Sequence, residues 1–389
     1  MKTSCLLTVI VVFFNMRREA ERTLYTLTPA YQQEVDHRDY RVLVIDNGSE
    51  VPLGRPLVEG FGPNFFYHPV PTGEVSPVAV INQAVATAAS ELVMVMIDGA
   101  HMLSPGVIGN ALAVARACSR PLVTVVGFHL GAENQNRSVS KGYNQAAEDE
   151  LLRTVDWREN GYRLFALAGE LSYDCAGWFG PLAESNCFLM RRADYLEIGG
   201  FDEGFTEVGG GLAILDFFRR ALLREDFDYV VLLGEGSFHQ FHGGVASNAP
   251  YADHPWERFH RQYQQLRGED YQVVVRRPRL WGRINPEVDA WARRCAGVGL
   301  GWWQAEREKP HDLDKFFPEI GYLMLAARQA EQAEPGRDAM AREIAALKQK
   351  VDSLQKPQTK AADLAFAKVK SGTGLRKWLP WLPFFNLKE

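Results

Sequence analysis

At 389 residues the chain is too long for one small core, and its 46% hydrophobic and 23% charged residues are the balance of a soluble globular enzyme. A net charge of −5 leaves no basic excess to recruit nucleic acid. Five scattered cysteines (Cys5, Cys118, Cys175, Cys187 and Cys295) lack CxxC or CxxxC spacing, which argues against a zinc knuckle or disulfide framework and fits a reducing, cytoplasmic compartment.

The first apolar run, "CLLTVIVVFF", has the look of a signal-peptide core, but it is short and has no small-residue cleavage site. It runs straight into the charged, helix-periodic "NMRREAERTL", so a buried first strand over 6–14 is predicted. No stretch reaches the ~20 apolar residues that span a bilayer. Met16, Ala20, Leu24 and Leu27 then fall at helical spacing. "YRVLVIDNGS" predicts a second buried strand ending in Asp46 and Asn47. A helix over 77–90, a strand over 91–97, a helix over 106–117 and a strand in "PLVTVVGF" follow.

Such alternation of helices with near-continuous apolar strands predicts an α/β domain with a mainly parallel sheet covered on both faces. Ligands of such sheets sit beyond the carboxyl ends of the strands. Asn15, Asp46 and Asp98 each follow the last apolar residue of a predicted strand, so they are expected on one rim.

From residue 131 to 160 the pattern weakens into a polar loop and helix. A strand with flanking turns is expected within 178–200, with Glu184 just before it. The loop "FDEGFTEVGGG" carries Glu207 and three glycines into a helix holding Asp216. "YVVLLGEGSFHQFHGG" is a buried strand opening into a loop with His239 and His242. The core is expected to end near residue 250, with a helical appendage over 251–336. Beyond it, Met340, Ile344, Leu347, Val351 and Leu354 alternate spacings of four and three, a short coiled-coil seam or an amphipathic helix. The tail "LRKWLPWLPFFNLKE" mixes aromatic and basic residues, suited to a membrane interface, to the protein's own core or to a partner.

"TVIVVFFN", "YRVLVIDNGS", "LVMVMIDGAHMLSPG", "FLMRRADYLEIGGFDEGF" and the helix around Asp216 occur in the order found in family 2 glycosyltransferases, and residues 6 to about 245 resemble that family. The resemblance implies the GT-A fold, a nucleotide-sugar donor, and inverting transfer to a glycan or lipid-linked hydroxyl in surface polysaccharide synthesis. It implies that Asp46, Asn47 and Asn15 border the nucleotide. Asp98 would hold the diphosphate through a divalent cation, Mn²⁺ or Mg²⁺, with His239 or His242 completing the metal site.

Two departures stand out. Ala100 occupies the second acidic position of the metal motif, and "GGGLAILD" replaces the usual acidic pair, leaving Asp216. His101 offers an imidazole nearby, or is a plain loop residue. Inversion needs a carboxylate to accept the acceptor's proton, and Glu184, Glu207 and Asp216 are the candidates. Each has a plainer role: a turn cap, a loop residue, an intrahelical ion pair with Arg220. Gly210 and Gly211 offer N–H groups for an anion. A degenerate module that binds a nucleotide sugar without turnover is the second reading. A sugar nucleotidyltransferase is disfavoured because no Gly-rich basic loop opens the chain.

The tail generates one expectation. Deleting Leu375–Glu389 should reduce co-sedimentation with anionic liposomes while leaving the thermal transition unchanged. Equal sedimentation of both proteins removes the membrane role, and a lowered transition shows that the tail packs as structure.

Overall fold

The computed structural model describes residues 6–71, 75–171 and 176–308. The predicted coiled-coil seam and the aromatic tail lie outside these residues. Among them are ten strands: β1 (Leu7–Phe13), β2 (Tyr40–Asp46), β3 (Phe65–Pro69), β4 (Leu92–Met96), β5 (His101–Leu103), β6 (Pro121–Leu130), β7 (Ala168–Leu171), β8 (Cys187–Arg191), β9 (Asp228–His239) and β10 (Arg279–Gly282). They form one sheet in the order β3-β2-β1-β4-β8-β6-β9-β10, with β5 added to β9 and β7 to β6. The β1–β2, β1–β4, β2–β3, β6–β9 and β9–β10 pairs are parallel. β8 runs antiparallel to both neighbours, so its start lies at the carboxyl end of β4.

All seven residues of β1 and all five of β4 are buried, the price of lying mid-sheet under helices. Their side chains alternate between two apolar clusters. Val9, Val11 and Phe13 join Ala20 and Leu24 of the helix Arg17–Thr26 and Ile108, Ala111 and Leu112 of the helix Val107–Ala117. Ile10 and Val12 join Ile81 and Val85 of the helix Val78–Thr87 and Phe218 and Leu222 of the helix Ala213–Leu222. The two-sided, mainly parallel sheet expected from the apolar runs is therefore present. Among the described residues, no helix is long and apolar enough to cross a membrane.

Residue 250 is not where sheet and core stop. β10 pairs in parallel with β9, and Phe259, Tyr263, Val288 and Cys295 are buried in the same cluster as Phe218. An edge strand with exposed Arg279, Trp281 and Gly282 lacks the apolar run that marks a central strand. The short β5, within "HMLSPG", and the mostly exposed edge strand β3 were equally hidden in the sequence.

β9 is irregular. Thr124 of β6 pairs with Val231, but Val126 pairs with Gly236, so β9 bulges between them. Gly234 permits the turn, with φ of 81° and the carbonyl of Arg283 where a Cβ would stand. Glu235, 1% exposed, projects from the bulge. Its Oε2 accepts from the Ser104 hydroxyl (2.5 Å) and the Gly106 N–H (3.1 Å), and its Oε1 from the Tyr162 hydroxyl (2.9 Å). A side chain at position 106 would overlap that carboxylate, so Ser-Pro-Gly is built around it.

Burial pushes the Glu235 carboxyl up to about 7 from 4.5, although three donors oppose the rise. The folded chain thus keeps a proton that the unfolded chain has released. The associated stability is complete below about pH 4.5 and is lost as pH rises through about 7. Glu235→Gln, an isostere of the neutral acid, should flatten the pH dependence of the urea midpoint across this window. An unchanged slope would mean that Glu235 does not carry it.

Candidate functional site at the carboxyl ends of the strands

The loops after β1 and β2 are bound to each other. Asn15, in the left-handed region at φ 55°, accepts from the Glu50 N–H through Oδ1 (2.8 Å), while its own N–H donates to the Ser49 hydroxyl (2.9 Å). The Asn47 N–H donates to the carbonyl of Phe13 (2.8 Å). Asp46 is 2% exposed and accepts from the N–H groups of Ser49 (3.3 Å) and Leu53 (2.7 Å) and from the Tyr67 hydroxyl (3.0 Å). Its carboxylate shapes the loop 47–53 from beneath, a role that an Asp closing a strand does not reveal in sequence.

Asp98 follows β4. Gly99 behind it lies where any Cβ would overlap the Phe13 ring, and its carbonyl accepts from the Thr23 hydroxyl (2.6 Å). The Asp98 Oδ1 accepts from the Ala100 N–H (2.7 Å), which turns Oδ2 toward two imidazoles. His242 Nε2 is 3.2 Å and His239 Nε2 3.8 Å from Oδ2. Ala100 itself is fully buried in the apolar cluster that holds Phe13.

The histidines arrive by strand pairing. In the β5–β9–β6 register, His239 is opposite both His101 and His129. Their rings stand 4.9 Å and 5.5 Å from that of His239, and His242 is 5.1 Å away on the other side. One ligand atom each from Asp98, His101 and His239 lies within 4.8 Å of the others. His101 is therefore no loose loop residue but a buried strand residue, 2% exposed, whose Nδ1 is 2.7 Å from the Ser237 hydroxyl. His129 was not singled out in the sequence; its strand position gave no signal.

Burial pushes the His101 and His129 imidazoles down to about 3, leaving both neutral. His239 is also lowered by burial, against the pull of Asp98. His242 behaves oppositely: burial lowers it, but the Asp98 carboxylate more than offsets this and raises it. Asp98 lies well below the ordinary carboxylate range, because the imidazoles outweigh the burial that opposes its ionisation. His242 Nε2 is buried and has no hydrogen-bond partner despite its closeness to Asp98. A buried orphan nitrogen, a carboxylate oxygen and neutral imidazoles together fit a divalent cation.

Next to this cluster, Arg18 joins three segments. It donates to Asp149 (2.7 Å), Glu148 (3.1 Å) and the carbonyl of Phe241 (3.1 Å). Glu148 in turn accepts from the Phe241 N–H (2.7 Å), and burial pushes its carboxyl up to about 7. Neither residue had a sequence signal beyond its charge.

The three candidate bases are placed differently. Asp216 is 1% exposed, with Oδ1 accepting from Arg267 Nε (2.6 Å) and Oδ2 from Arg220 Nε (2.8 Å) and Arg267 Nη2 (2.8 Å). The intrahelical pair with Arg220 is thus present, and a second arginine closes the carboxylate off from an acceptor. Glu207 pairs with Arg258 at 2.7 Å. Glu184 precedes β8, where the Asn186 carbonyl accepts from the N–H of Ile97 (3.3 Å), so it shares a rim with Asp98. Gly210 and Gly211 do not offer their N–H groups to an anion: these donate to the carbonyls of Glu207 (2.8 Å) and Val208 (3.5 Å). Positive φ at both explains the glycines.

No family model matches the chain, and no curated protein does. Among solved structures, a crystal structure of Staphylococcus aureus TarS matches with 14% identity, covering 60% of this chain and 36% of its own, at a TM-score of 0.41. The present chain thus spans about a third of that protein's length. Residues 1–349 of TarS match with 14% identity over 83% of this chain and 78% of that one, at 0.43. The mannosyltransferase PcManGT from Pyrobaculum calidifontis, in complex with GDP-Man and Mn²⁺, matches with 15% identity over 96% and 88%, at 0.40.

The Asp216 geometry makes a stability prediction. Asp216→Asn leaves Arg220 without its counter-charge and Arg267 with Asp202 alone, each guanidinium about a quarter exposed. Partial exposure discounts the loss to roughly 1–3 kcal/mol. Urea unfolding of the variant should show it, and wild-type stability would remove the ion lock.

Proposed function

We propose that the chain is an inverting glycosyltransferase of GT-A type, taking its sugar from a nucleotide-sugar donor and passing it to a hydroxyl of a glycan or lipid-linked acceptor. The observation that supports this most is the meeting of Asp98 with His239 and His242 at the carboxyl ends of parallel strands, beside the loop shaped by Asp46. That is where an open α/β sheet binds nucleotides. The resemblance of residues 6 to about 245 to family 2 enzymes supplies the reaction class; the side chains supply the means.

Asp98 and His239, with His101 and His242 beside them, would hold a divalent cation, which neutralises the charge that develops on a departing diphosphate. The loop 47–53 would border the base and ribose, with Asn15 fixing its approach. Of the three acids, Glu184 is the proposed base. Glu184 is half-buried just before β8, on the rim that Asp98 occupies, which puts a carboxylate near the transferring sugar.

A second reading, a nucleotide-sugar binding module without turnover, is favoured by the apolar burial of Ala100 and by the enclosure of Asp216. Donor hydrolysis in the absence of acceptor separates the two, since a binding module leaves the donor intact.

Asp98→Asn should abolish stabilisation by a UDP- or GDP-sugar with Mn²⁺ in a thermal-shift series. Glu184→Gln should lower turnover by about 10²-fold with donor affinity retained. Wild-type donor stabilisation in Asp98→Asn overturns the site; normal turnover in Glu184→Gln moves the base elsewhere.

A further inference from the structure

The cation site is unusual in what it offers. Asp98 offers one oxygen free of hydrogen bonds from the chain, Oδ2, since Oδ1 accepts from the Ala100 N–H. The position two residues on, Ala100, is apolar and fully buried. Among the described residues, the other strong ligands close to Asp98 are imidazoles, His101, His239 and His242, with the Ser247 hydroxyl 3.2 Å from His239 Nε2.

Two amides hold these rings in place. The Gln135 Nε2 donates to the carbonyls of Leu130 (3.1 Å) and His239 (3.0 Å), which fixes which way the amide points. Its Oε1 therefore accepts, from the Asn248 Nδ2 (2.7 Å) and from His239 Nδ1 (2.7 Å). The proton of His239 then sits on Nδ1, and its Nε2 lone pair, 3.2 Å from the Ser247 hydroxyl, is left on the side of Asp98. Asn248 Oδ1 accepts from three successive N–H groups, those of His242 (2.9 Å), Gly243 (2.9 Å) and Gly244 (3.2 Å). That contact sets the loop from which His242 reaches Asp98. Gln135 is fully buried and Asn248 7% exposed, so the arrangement exists before any ion arrives.

We propose that Asp98, His101, His239 and His242 form an imidazole-dominated site that selects Mn²⁺, Co²⁺ or Zn²⁺ over Mg²⁺ and Ca²⁺, with Gln135 and Asn248 as its positioning residues. Mg²⁺ and Ca²⁺ take oxygen ligands, and Mg²⁺ in addition keeps its waters. Imidazole suits Zn²⁺ and the later first-row ions best, with Mn²⁺ the weakest binder of that series. One carboxylate oxygen among three nitrogens gives a hard ion little to replace its hydration shell. The role of the ion in sugar transfer rests on the glycosyltransferase reading; its identity rests on the donor atoms alone.

The test uses the full chain and the metal chlorides alone. Titration calorimetry should show one Mn²⁺ or Zn²⁺ per chain, bound at least about 10-fold more tightly than Mg²⁺. Pulsed EPR of bound Mn²⁺ should show imidazole nitrogen couplings, a signature independent of any variant's folding. His239→Gln and His242→Gln should each weaken Mn²⁺ by about 10–100-fold or more, and Asn248→Ala by about 10-fold. Mg²⁺ binding as tight as Mn²⁺, or a spectrum without nitrogen couplings, overturns the proposal. UDP and GDP titrations in EDTA form a separate arm. Nucleotide binding alongside an oxygen-only ion site sinks the selectivity and keeps the transferase. Selective Mn²⁺ binding with no affinity for either nucleotide, with or without the ion, does the reverse.

Discussion

The buried carboxylate of Glu235 is the contact on which the site depends. It stands in the bulge of β9 and gathers Ser104, Gly106 and Tyr162 around it. Those contacts hold the turn that follows β5, and so hold β5 against the end of β9. With β5 in place, His101 faces His239. A buried acid with three donors is costly to desolvate but specific, because no apolar residue could bind the same turn. Burial and donors pull its protonation in opposite directions, and burial wins.

The rim that results is polar by construction. Asp98 closes a strand with no room behind it, since Gly99 packs on Phe13. Its carboxylate is kept ionised above all by His242, while burial keeps His101, His129 and His239 inclined to neutrality. Neutral rings beside an anion are what a cation requires of its ligands. The Arg18–Glu148 contacts brace the Phe241 backbone, so the His242 loop is held on two sides, by Glu148 and by Asn248.

The acids once equivalent as candidates separate physically. Asp216 is the hub of a buried ion cluster that also takes in Asp202 through Arg267. It joins the helix Ala213–Leu222 to the helix Trp256–Arg267, and thereby the segment beyond residue 250 to the rest. The glycines at 209–211 serve a turn whose N–H groups are already engaged. Asp216 and these glycines are thus tied into the packing of the two helices and the turn that leads into the first of them.

Apolar periodicity alone determined the central sheet. Runs such as "LTVIVVF" and "LVMVM" are too short and too β-branched for buried helices, so they read as strands buried on both faces, and the helices between them make those strands parallel. The same logic placed Asn15, Asp46 and Asp98 at strand ends. It could not find β3, β5 or β10, because short or exposed edge strands need not be apolar. Nor could it find the row of His101, His239 and His129: strand register is set by pairing across more than a hundred residues, and a bulge of β9 shifts it. Local patterning put Asn15, Asp46 and Asp98 on the rim, since each closes an apolar run. Which side chains meet there depends on strand register and burial, and neither is a local property of the chain.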